Sequence, residues 1–180
     1  MVAHVDWQSL PPALSPALTD SLSEPGSLTA RLIATGHRFA VQVVQQGDAS
    51  AYADEAAELN CPVGTRLHGR HVLLTLDDTP VIFARSVSRI DCPEWSPVLA
   101  RGSRSLGLTL FGEMPAALQR DALQYLALPA GHPLLQAAHA AFSANPAASG
   151  WPARRCRFLM NNAPLLVCEV FLPTLEAFLA

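Results

Sequence analysis

Arg85 and Glu169 occupy matching places in two related stretches of the chain. DDTPVIFARSV (residues 77–87) and NNAPLLVCEVF (residues 161–171) each run from a polar turn through a proline into an apolar strand. Each strand carries one charge, five residues after its proline. A charge set in an apolar strand costs several kcal/mol unless something pairs with it. One hairpin therefore offers a buried cation and the other a buried anion. The natural chemistry of such a pair is either a structural ion network or the recognition of a small charged ligand.

A third charge joins them through register. With Asp77 and Asp78 as the central turn residues, Arg70 stands opposite Arg85; a slip of one residue sets it opposite Val87. Sides alternate along a strand, so both alignments put Arg70 and Arg85 on one face of the sheet. Like charges there repel and call for an anion between them. Val72, Leu74, Val81 and Phe83 share that face in this reading. In such apolar surroundings an arginine–carboxylate contact is worth most. The anion is either Glu169, giving a buried network, or a ligand carboxylate with Glu169 at the far end of the same pocket.

The remaining polar residues are read more plainly. His37, His68, His71, His132 and His139 lack metal-ligand spacing and read as surface or loop histidines, so no metal is expected. Arg154, Arg155 and Arg157 alternate faces: the first points one way, the other two the opposite way. They read as a solvated strand end, with a second anion site as the alternative. Cys61, Cys92, Cys156 and Cys168 form no CxxC and read as reduced thiols of a cytoplasmic protein.

The elements that must position these groups follow from pattern. Ser27 caps a helix over 28–34, closed by Gly36, and a strand begins at Phe39. Residues 48–65 read as a loop with a helical turn near 54–59. Arg66 to Leu76 and Val81 to Ile90 form the first hairpin, residues 91–105 a connection, and 106–111 a short apolar element. A strand at 122–128, a helix at 133–142 and a flexible stretch at 143–150 precede the second hairpin, 154–160 with 165–172. The sum is a single α+β domain: an antiparallel sheet of hairpins with short helices packed on one face. Residues 1–24 read as a helical or irregular extension of the domain formed by 25–180.

Composition sets the outer limits. The chain has 180 residues, half of them apolar and 15% charged, with a formal net charge of −3. That suffices for a packed core and gives no basic field for nucleic acid. No apolar run is long enough for stable membrane insertion, and no secretory leader is expected at the start. All 12 basic residues are arginine. The missing lysine excludes Schiff-base catalysis, lysine-bound pyridoxal phosphate and a Walker lysine.

Five segments, in this order, resemble the chorismate pyruvate-lyase family across residues 25–173: SLTARL (27–32), RLHGRHVLL (66–74), PVIFARSV (80–87), SLGLTLF (105–111) and ARRCRFLMNNAPLLVCEVFLP (153–173). The resemblance implies a cofactor-free monomer that eliminates pyruvate from chorismate to give 4-hydroxybenzoate, at the entry to ubiquinone synthesis. It further implies that Arg70 binds the ring carboxylate, assisted by backbone at Leu28 and Leu106. Glu169 would hold the 4-hydroxyl end and manage a proton, and Arg85 would meet the enolpyruvyl carboxylate. Flaps around Leu28 and Leu106 would cover the site, with slow product release and product inhibition. The chain departs from the family in having Leu28 where methionine is usual and Ser105 where proline is usual. The rival expectation is a non-catalytic binder of a small aromatic carboxylate, like the UTRA effector domains of bacterial regulators or a hydroxybenzoate carrier.

Overall fold

In the computed structural model, residues 5–8, 10–11, 13–114, 117–142 and 150–179 are described. The stretch expected to be flexible, 143–150, lies outside them except for Gly150. A single antiparallel sheet organises the domain. Its strands are β1 (Phe39–Ser50), β2 (Arg66–Leu76), β3 (Thr79–Arg89), β4 (Gln119–Arg120), β5 (Gln124–Ala127), β6 (Pro152–Met160) and β7 (Ala163–Phe171). They run in the order β1-β2-β3-β7-β6-β4, with β5 also pairing β6.

Both hairpins close through two residues with positive φ: Asp77 and Asp78 in the first, Asn161 and Asn162 in the second. These are the residues that tolerate the left-handed conformations a two-residue hairpin needs. The short helices are α1 (Pro16–Leu22), α2 (Leu28–Ala34), α3 (Ala53–Ala56), α4 (Ser96–Leu99), α5 (Leu106–Leu108) and α6 (Pro133–Phe142). Ser27 caps α2 as expected, its hydroxyl accepting from Ala30 N. β1 extends to Ser50, into residues read as loop, because each of its last residues finds a partner on β2.

The expected antiparallel α+β domain is present, but its helices cover both faces of the sheet. On one face Leu18 and Leu22 of α1 and Leu28 and Leu32 of α2 pack on Val72, Leu74, Ile82 and Ala84. On the other, Leu134, Leu135 and Ala138 of α6 pack on Leu73, Phe83, Leu166 and Val170. Both faces of the central strands are therefore apolar, which is why β2 and β3 read as nearly continuous apolar runs rather than alternating ones. Beyond Leu108 the chain makes a π-helical turn, Thr109–Glu113, before β4. No helix among the described residues is long and apolar enough to cross a membrane.

Candidate active site

The register between β2 and β3 corrects the placement of the two arginines. Leu76 faces Thr79 and Thr75 faces Pro80, as the Asp77-Asp78 turn requires. The register then shifts, so that Leu74 faces Ile82 and Val81 has no partner opposite. One extra residue sends every later side chain of β3 to the other side. Arg70 consequently faces Ser86, whereas Arg85 faces His71. Arg70 and Arg85 lie on opposite faces of the sheet.

Arg85 is accounted for without a ligand. Its Nε donates to Glu55 Oε1 (2.7 Å) and its NH2 to Glu55 Oε2 (2.9 Å) and Ser50 O (2.9 Å). The ring of Tyr52 lies 3.9 Å from its guanidinium carbon. Burial works to lower the Arg85 pKa, but the hydrogen bonds and charge of Glu55 outweigh it and raise the value. His71 Nε2 is 2.8 Å from Arg85 NH1. Burial first, and the Arg85 charge second, hold His71 down to about 4, so it is neutral and accepts. His71 and His132 are buried, not surface histidines: His71 packs on Phe83 beside Arg85, and His132, in the loop before α6, packs against Trp7 and Asp54. Arg85 therefore does not join Arg70 at one cavity, as the expected contact with a ligand requires: it pins α3 to the sheet.

Arg70 is the opposite case. It is 4% exposed, and burial lowers its pKa. Its NH2 donates to Gly102 O (2.7 Å) and Arg104 O (3.1 Å), and no carboxylate among the described residues pairs with it. The guanidinium lines a cavity of about 50 Å³. Val72, Leu74, Ala84, Leu110 and Phe158 give that cavity apolar walls. Leu28, Leu106 and Glu169 line it as well, so four of the five expected site residues converge and Arg85 does not.

Glu169 lies between Ala84 on β3 and Arg154 on β6. Its Oε2 accepts from Arg154 Nε at 2.5 Å. Arg154, 4% exposed, also donates from NH1 to Leu22 O (3.1 Å) and Glu24 O (2.9 Å). The reading of Arg154 as part of a solvated strand end is thus corrected. It holds the carboxylate in place and fixes the C-terminal end of α1 to the sheet. Arg155 is likewise buried, on the far face against Asp54, Glu58 and Gln124. Because β6 and β7 pair without a register shift, the Asn161-Asn162 turn alone sets Arg154 opposite Glu169.

Two strand spacings and two residues of rise put Arg70 and Glu169 roughly 12 Å apart at Cα. With both side chains reaching inward, that span suits one six-membered ring bearing polar groups at opposite ends. The roof consists of α2 and α5. Ser105 caps α5 by accepting from Leu108 N, and donates to Thr29 Oγ1 (2.8 Å). A Cβ at Gly107 would meet Thr29 Oγ1 at 2.8 Å, so glycine is what allows the two segments to close on each other. The Cys156 thiol in the wall is pushed up to about 11 by burial, which removes it as a nucleophile.

The cavity thus sets apolar walls around Arg70, which has no carboxylate among the described residues, and a Glu169 held by Arg154. A family model described as chorismate lyase matches residues 1–178. The chain belongs to the chorismate lyase family. A probable chorismate pyruvate-lyase of Ralstonia nicotianae is 38% identical over 84% of this chain and 79% of its own length. Another, of Nitrosomonas europaea, is 34% identical over 94% of each chain. Among solved structures, the effector domain of PhnF from Mycobacterium smegmatis superposes with a TM-score of 0.58 at 16% identity, covering 83% of this chain and 90% of that one. That likeness shows a shared fold between a chorismate lyase family member and an effector domain. Ser105 both caps α5 and bonds Thr29 across the roof.

Proposed function

We propose that this chain eliminates pyruvate from chorismate and leaves 4-hydroxybenzoate. The observation that carries the reading is Arg70: a buried guanidinium in an apolar cavity, with no carboxylate partner among the described residues, facing a positioned Glu169 across the floor. A buried cation without an anion is destabilising, and a ligand carboxylate relieves it.

Chorismate supplies that carboxylate at C1 of its ring. With the carboxylate on Arg70, the C4 hydroxyl reaches Glu169, which accepts its hydrogen bond. The elimination breaks the C3–O bond and the C4–H bond and forms a C3–C4 π bond, so the ring becomes aromatic. The departing enolpyruvate takes a proton at its methylene carbon to become pyruvate, which balances the proton lost from C4. Aromatisation supplies the driving force. The protein has only to hold the ring, exclude water and stabilise charge on the leaving oxygen. No lysine, metal or activated thiol is asked for.

The cavity of about 50 Å³ is smaller than one that admits benzene, about 150 Å³. Seating a ring therefore requires the walls to give way, and α2 and α5, which form the roof, are the segments placed to do so. Product held under such a roof leaves slowly and inhibits its own formation. In this reading the protein acts as a cytoplasmic monomer and supplies the aromatic acid for ubiquinone synthesis.

The test is incubation of the purified chain with chorismate, following pyruvate and 4-hydroxybenzoate. Stoichiometric release of both is expected. Tight 4-hydroxybenzoate binding without pyruvate would replace the enzyme by a non-catalytic binder. Arg70→Ala is expected to weaken 4-hydroxybenzoate binding about 10- to 100-fold, as for loss of a charged hydrogen bond. An active enzyme whose affinity survives that substitution would overturn the pocket assignment.

A further inference from the structure

Chorismate has two carboxylates and 4-hydroxybenzoate keeps one. Taking the chorismate reading as given, the cavity needs a second cation, and the register rules out Arg85. Three arginines line the wall: Arg70, Arg120 and Arg154. Arg154 is committed to Glu169 and to the carbonyls of Leu22, the last residue of α1, and Glu24 just beyond it. Arg154 and Glu169 therefore balance each other, and Arg70 meets the ring carboxylate. One positive charge is left over.

That charge is Arg120, on the two-residue strand β4 opposite Phe158. Among the described residues no carboxylate pairs with it; its NH1 donates to Pro25 O. Its guanidinium carbon lies 5.0 Å from the centre of the Phe111 ring. It is near enough to Cys156 that its charge opposes the effect of burial on that thiol. Pro25 precedes α2 and Phe111 follows α5, so Arg120 touches both segments that close the cavity.

Ring geometry points the same way. The enolpyruvyl group is on C3, next to the C4 that meets Glu169. A line from Arg70 on β2 to Glu169 on β7 continues towards β6 and β4, because that is the strand order. A substituent at C3 can extend past Glu169 towards Cys156, Phe158 and Arg120. We propose that Arg120 binds the carboxylate of the enolpyruvyl group, the part of the substrate that departs as pyruvate. Its guanidinium then lies beside the C3 ether oxygen, which takes up the electron pair when the C3–O bond breaks. Arg120 recognises substrate but not product.

The experiment compares Arg120→Met, Arg120→Lys and Arg70→Ala with the unaltered chain. Steady-state pyruvate release from chorismate and equilibrium binding of 4-hydroxybenzoate are both measured, with thermal melts to establish folding. Arg120→Met is expected to lower kcat/KM for chorismate about 10- to 100-fold, the scale of a lost charged hydrogen bond, while 4-hydroxybenzoate affinity stays unchanged. Arg120→Lys is expected to recover part of the loss, and Arg70→Ala to weaken both ligands. If Arg120→Met weakens substrate and product equally, or neither, Arg120 does not hold the second carboxylate. If the unaltered chain releases no pyruvate, it is the chorismate reading that fails, and the two failures are distinct.

Discussion

Arg85→Met removes a cation that is 2% exposed and leaves the Glu55 carboxylate, equally buried, without its two-pronged partner. Breaking a buried pair on one side costs about 3–5 kcal/mol, because the remaining charge has neither water nor counterion. In a domain of this size that lowers the melting temperature by roughly 6–20 °C. The loss comes from a total that is itself only about 5–15 kcal/mol. Adding Glu55→Leu removes the stranded charge, and the double variant is expected to regain most of the stability. The assay is urea denaturation followed by tryptophan fluorescence, using the buried Trp7 and Trp95, alongside pyruvate release per folded molecule. The double variant keeps its turnover if Arg85 serves only to hold α3 on the far face. An Arg85→Met variant with an unshifted midpoint but no turnover would refute this, and would put Arg85 in contact with substrate.

Two further outcomes are expected. His71 has a folded pKa of about 4 against an ordinary value of 6.5, so the unfolded chain binds more protons between those limits. Stability is fully present above pH 6.5 and declines as pH falls towards 4, by at most about 3 kcal/mol. His71→Gln, which keeps an acceptor for Arg85 but does not titrate, should flatten that part of the pH–stability curve; an unchanged slope assigns it to other groups. Thr29→Val removes the hydroxyl that accepts from Ser105 across the roof. Losing one such hydrogen bond, about 1 kcal/mol, should speed 4-hydroxybenzoate dissociation about 5-fold in stopped-flow measurements. An unaltered rate would mean that the roof opens elsewhere.

The hairpins themselves are legible in the sequence, because turn residues and apolar runs are local signals. The Asp77-Asp78 and Asn161-Asn162 turns stand where they are expected. The register shift at Val81 is not local. It depends on how β3 fits β2 and β7 together, and nothing in PVIFARSV announces it. That single residue decides which face receives Arg85. The uninterrupted second hairpin made the Arg154–Glu169 pair readable from its turn, but three arginines in four residues resemble a solvated edge. Glu55 was hidden for a different reason: a short helix in a small-residue stretch shows no periodicity, and the partner of a buried charge is set by the tertiary fold. Arg120 lies on a strand of two residues, too short for any pattern. Leu28 and Leu106 came from family resemblance rather than from physical pattern.

Among the described residues, every one in the cavity wall lies at or beyond Gly26. A chain trimmed to begin at residue 25 would therefore retain all the described lining of the site and still be impaired. The carbonyls of Leu22 and Glu24, which receive the Arg154 NH1, would be gone. Arg154 would then be free to swing, and the carboxylate that it steadies would lose its aim. The stretch before α2 thus works as a remote brace: the boundary of the site in space is not its boundary along the chain.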